Sequence, residues 1–191
     1  MFPFRRLHPL MALAVTVLAA GAASAASEIF DKKVDPNNGF LAVTDATYRA
    51  ECGTCHFAYS PGLLPERSWK WVMSGLDKHY GENVKISPQA SASISKYLAD
   101  NAADKSKFEG SKQIMVRISD SMTPRRVINV PHISTMHRVM KEVLGTNSKV
   151  EVRKFTNCNG CHQQAEKGSF AYDELVIPGL DQSWGYTIQK P

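Results

Sequence analysis

CGTCH at residues 52–56 and CNGCH at residues 158–162 decide how this chain is read. The same five-residue pattern occurs twice, and the two copies use all four cysteines of the sequence. Two cysteines three positions apart, followed at once by histidine, form the attachment pattern of c-type haem. The chemistry explains the spacing. Each thiol adds across one vinyl group of the porphyrin, and two intervening residues let both sulfurs reach one edge of the macrocycle. The next residue then turns its imidazole under the ring, where it is a strong ligand for iron. Competing readings account for less. A thioredoxin-like pair has no need of the histidine, a four-cysteine zinc site leaves both histidines idle, and a disulfide framework does not use them. The pattern therefore implies two covalently bound haem c groups, held by Cys52 and Cys55 and by Cys158 and Cys161, with His56 and His162 as axial ligands to iron.

The beginning of the chain sets the compartment. Arg5 and Arg6 precede an apolar run over residues 10–21, and Ala23, Ser24 and Ala25 supply small residues at signal-peptidase spacing. This reads as a secretory signal over residues 1–25 rather than a membrane span, since the apolar run is too short to cross a bilayer. The expected destination is the periplasm, with no membrane span after signal cleavage. The formal net charge of the 191 residues is +5, and the signal would remove two arginines and no acid. The remaining basic excess is small and not concentrated in one tract, which argues against a nucleic-acid partner.

Each iron needs a second axial ligand or stays open, and that choice separates a carrier from a ligand-binding or catalytic haem. After the signal the chain offers His79, His132 and His137, and the methionines Met73, Met115, Met122, Met136 and Met140. Trp69, Val72, Met73, Leu76 and Tyr80 recur at helical spacing, so residues 68–80 are predicted as a helix with His79 at the edge of its apolar face and Gly81 as its stop. Gly75, one turn before His79, would let a flat ring approach the backbone. Ile133, Met136, His137, Met140, Val143 and Leu144 form one face of a second helix that starts at Pro131 and stops before Gly145. His137 points inward with that face, and His132 sits at its entrance. Met136 and Met140 share the inner face, where filling the core is the simpler role. His79 and His137 are the candidate distal ligands; crossed ligation, with His137 serving the first haem, stays open at this point.

The rest of the chain reads as short helices and loops. Asp45 is a helix cap before residues 46–55. Ser87 followed by Pro88 opens a helix to about Ala102 with Ile94, Tyr97 and Leu98 inward. Residues 57–65 form a loop. A polar stretch around residues 105–111 marks the boundary between two haem units, residues 26–108 and 109–191. Residues 114–118 and 150–152 read as short β-like runs, and residues 167–191 as a tail with little regular structure. The fold class expected is mainly α: two small c-type haem-binding units with loops and little β structure.

Three stretches resemble the soluble bacterial dihaem cytochromes c: ECGTCHFAYSPGLLPERSWKWVMSGLDKHYG at residues 51–81, RVINVPHISTMH at residues 126–137, and NCNGCHQQAEKGSF with the following VIP at residues 157–178. The resemblance implies electron transfer through two bis-histidine haems, with His79 distal at the first and His137 at the second. The chain departs from the family's pattern at His132 and Ile133, where an aromatic pair is usual, and this makes His132 the leading substitute ligand. The expected function is a one-electron relay between periplasmic or membrane-bound redox proteins, cytochromes among them. The alternative is a dihaem enzyme or gas-binding cytochrome, peroxidase-like, with one open iron.

Overall fold

Five α-helices carry the described part of the chain: α1 (Ala46–Cys52), α2 (Glu66–Ser74), α3 (Pro88–Asp100), α4 (Glu109–Val116) and α5 (Pro131–Leu144). The computed structural model describes residues 39–144 and 157–177, all within the unit Pro36–Pro191. Short 3-10 turns link the helices, and no strand occurs among the described residues, only the isolated bridges His79–Glu82 and His162–Leu175. The molecule is mainly α. The signal segment, residues 150–152 and the tail from Pro178 lie outside the described residues.

Local chemistry sets several boundaries. The Asp45 carboxylate accepts the Tyr48 N–H at 2.7 Å and starts α1. The Ser87 hydroxyl accepts the Ala90 N–H at 3.1 Å, and Pro88 sits in the first turn, where its missing N–H costs nothing. The start of α2 is set from a distance: the Glu66 N–H donates to Asp104 at 2.9 Å, from beyond the end of α3.

Two predicted elements differ in the structure. The helix expected over residues 68–80 ends at Ser74, and the chain continues through a 3-10 turn, Leu76–Lys78. Trp69 and Val72 are buried as the helical face requires, but Tyr80 lies outside the helix, 40% exposed, with a left-handed φ of 54°. The β-like run at residues 114–118 is instead the last turn of α4, to Val116, and the turn that follows it. In a strand Val116 would share a face with Ile114 and Ile118; instead Val116 is 83% exposed while both isoleucines are buried, as i and i+4 positions of a helical turn are. Gly110 in the first turn of α4 is required by close packing: its N–H donates to the Gly39 carbonyl at 2.9 Å, and a Cβ would lie 2.5 Å from that oxygen.

The core runs from Leu63, Leu64, Trp69 and Val72 through Ile94 and Leu98 to Ile114, Ile118 and Val130, and so draws on both sides of the polar stretch at residues 105–111. Trp69 is locked by its indole N–H, which donates to the Pro61 carbonyl at 2.7 Å. Leu98 has no exposed surface. Leu98→Ala should destabilise the holoprotein by about 2–5 kcal/mol, the cost of lost burial plus a cavity. Chemical denaturation followed through the haem absorbance checks this; a loss below about 1 kcal/mol would show that the core collapses around the gap.

Candidate haem-binding sites

The first pentapeptide begins on the last residue of α1. Gly53 closes that helix, its N–H donating to the Arg49 carbonyl at 3.0 Å, and Cys55 and His56 follow as exposed residues. His56 Nδ1 lies 2.8 Å from the Phe57 carbonyl oxygen. A carbonyl only accepts, so Nδ1 carries the proton and Nε2 carries the lone pair, the form that binds a metal. The structure places His79 opposite: the His56 and His79 ring centres are 6.3 Å apart, with the planes 23° from parallel. His79 reaches this place from the end of the 3-10 turn Leu76–Lys78, pinned by the Glu82 N–H donating to its carbonyl at 3.0 Å. Tyr80 packs against the His79 ring at 4.7 Å, and the Arg126 guanidinium lies 4.0 Å above the Tyr80 ring. Burial, then the neighbouring His56 and Arg126, push the His79 pKa down and keep the imidazole neutral. Gly75 terminates α2, and a Cβ there would meet only the Trp71 carbonyl at 3.8 Å.

The second pentapeptide opens with a 3-10 turn, Cys158–Gly160, and the His162 N–H donates to the Cys158 carbonyl at 2.8 Å. The Val176 N–H donates to the Cys161 carbonyl at 2.9 Å, and Leu175 forms a bridge with His162. His137, from the middle of α5, faces His162 with ring centres 6.2 Å apart and planes at 77°. Its Nδ1 lies 2.9 Å from the Ile133 carbonyl oxygen one turn earlier, which again leaves the lone pair on Nε2. Burial, then His137, lowers the His162 pKa to about 4, so this imidazole is neutral at physiological pH. Its Nδ1 is buried with no hydrogen-bond partner among the described residues. A cavity of about 460 Å³ opens here, lined by Phe40, His132, Met136, His137, His162 and Phe170 among others. That volume lies in the range of small-molecule and cofactor pockets. Phe170 packs on His162 at 5.0 Å and edge-on to Phe40 at 5.2 Å.

The spacing of both histidine pairs suits one metal between them. Two imidazole nitrogens each about 2 Å from a shared metal lie about 4 Å apart, and the ring centres lie one ring radius further out on either side. The cysteines fit covalent attachment better than thiol chemistry. All four are free of disulfides. Burial, helped by Glu51, pushes the Cys52 thiol up to about 11, and burial also raises Cys158 and Cys161. An activated C-x-x-C pair has its thiolate stabilised instead. No cluster of three or more metal-binding side chains of the zinc-site type occurs among the described residues.

Residues 48–170 match the family described as dihaem cytochrome c. The chain belongs to the dihaem cytochrome c family. A diheme cytochrome c from Rhodobacter sphaeroides is 35% identical, with 68% of this chain and 99% of that one covered and a TM-score of 0.58. A diheme cytochrome type c from Shewanella baltica OS155 is 32% identical, with 72% and 95% covered and a TM-score of 0.56. No curated protein matches the chain by sequence. As a dihaem cytochrome c, the chain carries two covalently bound haem c groups, and its two cysteine pairs fit their attachment.

The remaining candidates take other places. Met136 and Met140 line the cavity at the second site with His132. Met73 and Met115 pack against the core, and Met122 is exposed, its carbonyl accepting from the Arg67 side chain at 2.7 Å. Arg117 is exposed at the end of α4, whereas Arg125 lies 4.7 Å over the Trp71 ring. Sequence reasoning does not single out Tyr59, Phe40, Phe170 or Gly168, which shape the two sites. Only Gly168 leaves a signal of its own kind, a glycine shortly after the second motif.

Proposed function

We propose that this dihaem cytochrome c is a periplasmic one-electron carrier in which both irons are held between two histidines, His56 with His79 and His137 with His162. The observation that carries the reading is the facing of these imidazoles at 6.3 Å and 6.2 Å. The haem supplies reversible one-electron chemistry at iron. The chain's own residues do the rest. The Phe57 and Ile133 carbonyls fix the tautomers of His56 and His137. Burial lowers the pKa of both His79 and His162, which favours the neutral, lone-pair form at these two imidazoles. Two imidazoles on one iron leave no position for a small ligand or peroxide, and they favour a lower potential than a histidine–methionine pair, because thioether sulfur favours the ferrous state. Among the described residues no helix is long and apolar enough to cross a membrane. The basic balance, with Arg125 and Arg126 beside the first site, favours partners with acidic faces.

The angles between the ring planes give a direct test. Nearly parallel imidazoles, as at the first site, direct their π density at the same iron d orbital and split it from its partner; nearly perpendicular ones, as at the second, leave the two orbitals close in energy. Low-temperature electron paramagnetic resonance of the oxidised protein should therefore show two low-spin signals of equal intensity, one rhombic and one strongly anisotropic. A high-spin signal of full intensity at either haem would overturn bis-histidine ligation.

A further inference from the structure

We infer that Tyr80 is a positioning residue for the first haem site: its ring sets the plane of the His79 imidazole, and the segment at Arg125 and Arg126 holds that ring in place. The inference rests on the reading above in taking His79 as an axial ligand.

Tyr80 follows His79 directly and stands where the backbone disfavours it. Residues 79–82 form a tight turn, closed by the Glu82 N–H donating to the His79 carbonyl at 3.0 Å. Its two central residues, Tyr80 and Gly81, have φ of 54° and 110°. Turns with two positive φ values favour asparagine and glycine at these places. Tyr80 is the only non-glycine residue with positive φ among the described residues. A bulky side chain keeps such a conformation only where its surroundings fix it. Burial does not supply the hold, since Tyr80 is an exposed residue.

Three contacts supply it. The ring lies against His79, with centres 4.7 Å apart and planes at 61°. The hydroxyl donates to the Arg125 carbonyl. The Arg126 guanidinium lies over the ring, 4.0 Å from its centre. The segment that makes these last two contacts is itself tied to α2. The Arg67 side chain donates to the Ser119 and Met122 carbonyls, both at 2.7 Å, and the Arg125 guanidinium lies 4.7 Å over the Trp71 ring. The place of the Tyr80 ring is thus fixed by α2 and by the approach to α5, from outside its own turn.

The consequence for His79 is rotational. An imidazole held by one nitrogen can turn about its bond to the metal, and an edge-to-face ring contact favours one orientation over the others. Here the favoured orientation lies 23° from the plane of His56. The nearly parallel setting that distinguishes the first site from the second therefore depends on Tyr80.

Two variants separate the ring from the turn. Tyr80→Asn removes the ring, and asparagine takes the left-handed conformation readily, so the turn is kept. Tyr80→Phe keeps the ring and removes only the hydroxyl. The measurement is low-temperature electron paramagnetic resonance of each oxidised protein with both haems bound. In Tyr80→Asn the rhombic signal of the first haem should broaden and shift toward the strongly anisotropic form, while the signal of the second haem stays unmoved. In Tyr80→Phe the rhombic signal should return to its wild-type position. A sharp, unshifted rhombic signal in Tyr80→Asn would overturn the proposal. So would an equal change in both haem signals, the mark of general loosening, or a Tyr80→Phe signal displaced as far as that of Tyr80→Asn. Rapid carbon monoxide binding at the first haem of the untouched protein would instead overturn the ligation reading itself, and this proposal with it.

Discussion

His137→Ala should turn a protein that binds carbon monoxide poorly into one that binds one equivalent quickly in the reduced state. Alanine removes the imidazole facing His162 and leaves nothing of its length in that position. The effect should not be a folding artefact. His137 lies mid-helix, where alanine is the better helix former by a few tenths of a kcal/mol. The Nδ1 bond to the Ile133 carbonyl disappears with the ring, but that oxygen still lies in the backbone ladder of α5. The affected haem should also rise in potential, since a strong donor to ferric iron has gone. His79→Ala should produce the same change at the other haem. Carbon monoxide difference spectra and potentiometry read both effects. The same spectra on His132→Ala discriminate between ligand sets: loss of a low-spin haem there, with His137→Ala silent, would move the axial position to His132. Fast, stoichiometric binding by the untouched protein together with peroxide turnover would replace the carrier with the enzyme reading.

What the sequence makes legible is what short-range chemistry determines. Asp45 and Ser87–Pro88 announce helix starts because their caps lie within three residues of the donors they satisfy. The apolar face from Ile133 to Met140 is long enough to define a helix. Over residues 114–118 the pattern is too short to separate a period of two from one of 3.6, and only the exposure of Val116 decides it. The end of α2 is hidden because Trp69, Val72, Met73 and Leu76 keep helical spacing across the very glycine that breaks the helix. At the sites, the cysteines and the adjacent histidines are legible because covalent attachment dictates their spacing. Tyr59 is not, since a tyrosine three residues after the motif gives no sign that its ring packs on the His56 imidazole. Nor is Phe170, whose partners Phe40 and His162 come from opposite ends of the described chain.

Gly168→Val should strip the second site of its support while leaving the first intact. Gly168 ends the 3-10 turn Ala165–Lys167 with φ of +83°, a conformation that glycine adopts freely and a β-branched residue resists. Forcing a non-glycine residue into it costs about 1–3 kcal/mol. Space makes matters worse. A Cβ at Gly168 would overlap the Phe40 carbonyl oxygen and press on the Ala42 nitrogen at 3.1 Å, both backbone atoms that no rotamer change can move aside. The chain must therefore separate, and what it gives up is specific. The Phe40 N–H donates to the Gly168 carbonyl at 2.9 Å, a bond worth about 1 kcal/mol. Phe40 also packs edge-on against Phe170, a pair worth about 0.5–1.5 kcal/mol, and Phe170 in turn rests on His162. Together these make several kcal/mol, a large share of the stability of a typical domain. The prediction is a lower melting temperature and a weakened or heterogeneous signal from the second haem, with the rhombic signal of the first preserved. Gly168→Ala should show the same pattern at smaller amplitude, because it shares the clash but lacks the β-branch. If Gly168→Val melts like wild type and keeps both paramagnetic signals unchanged, the packing of Phe40 on Gly168 does not support the second site.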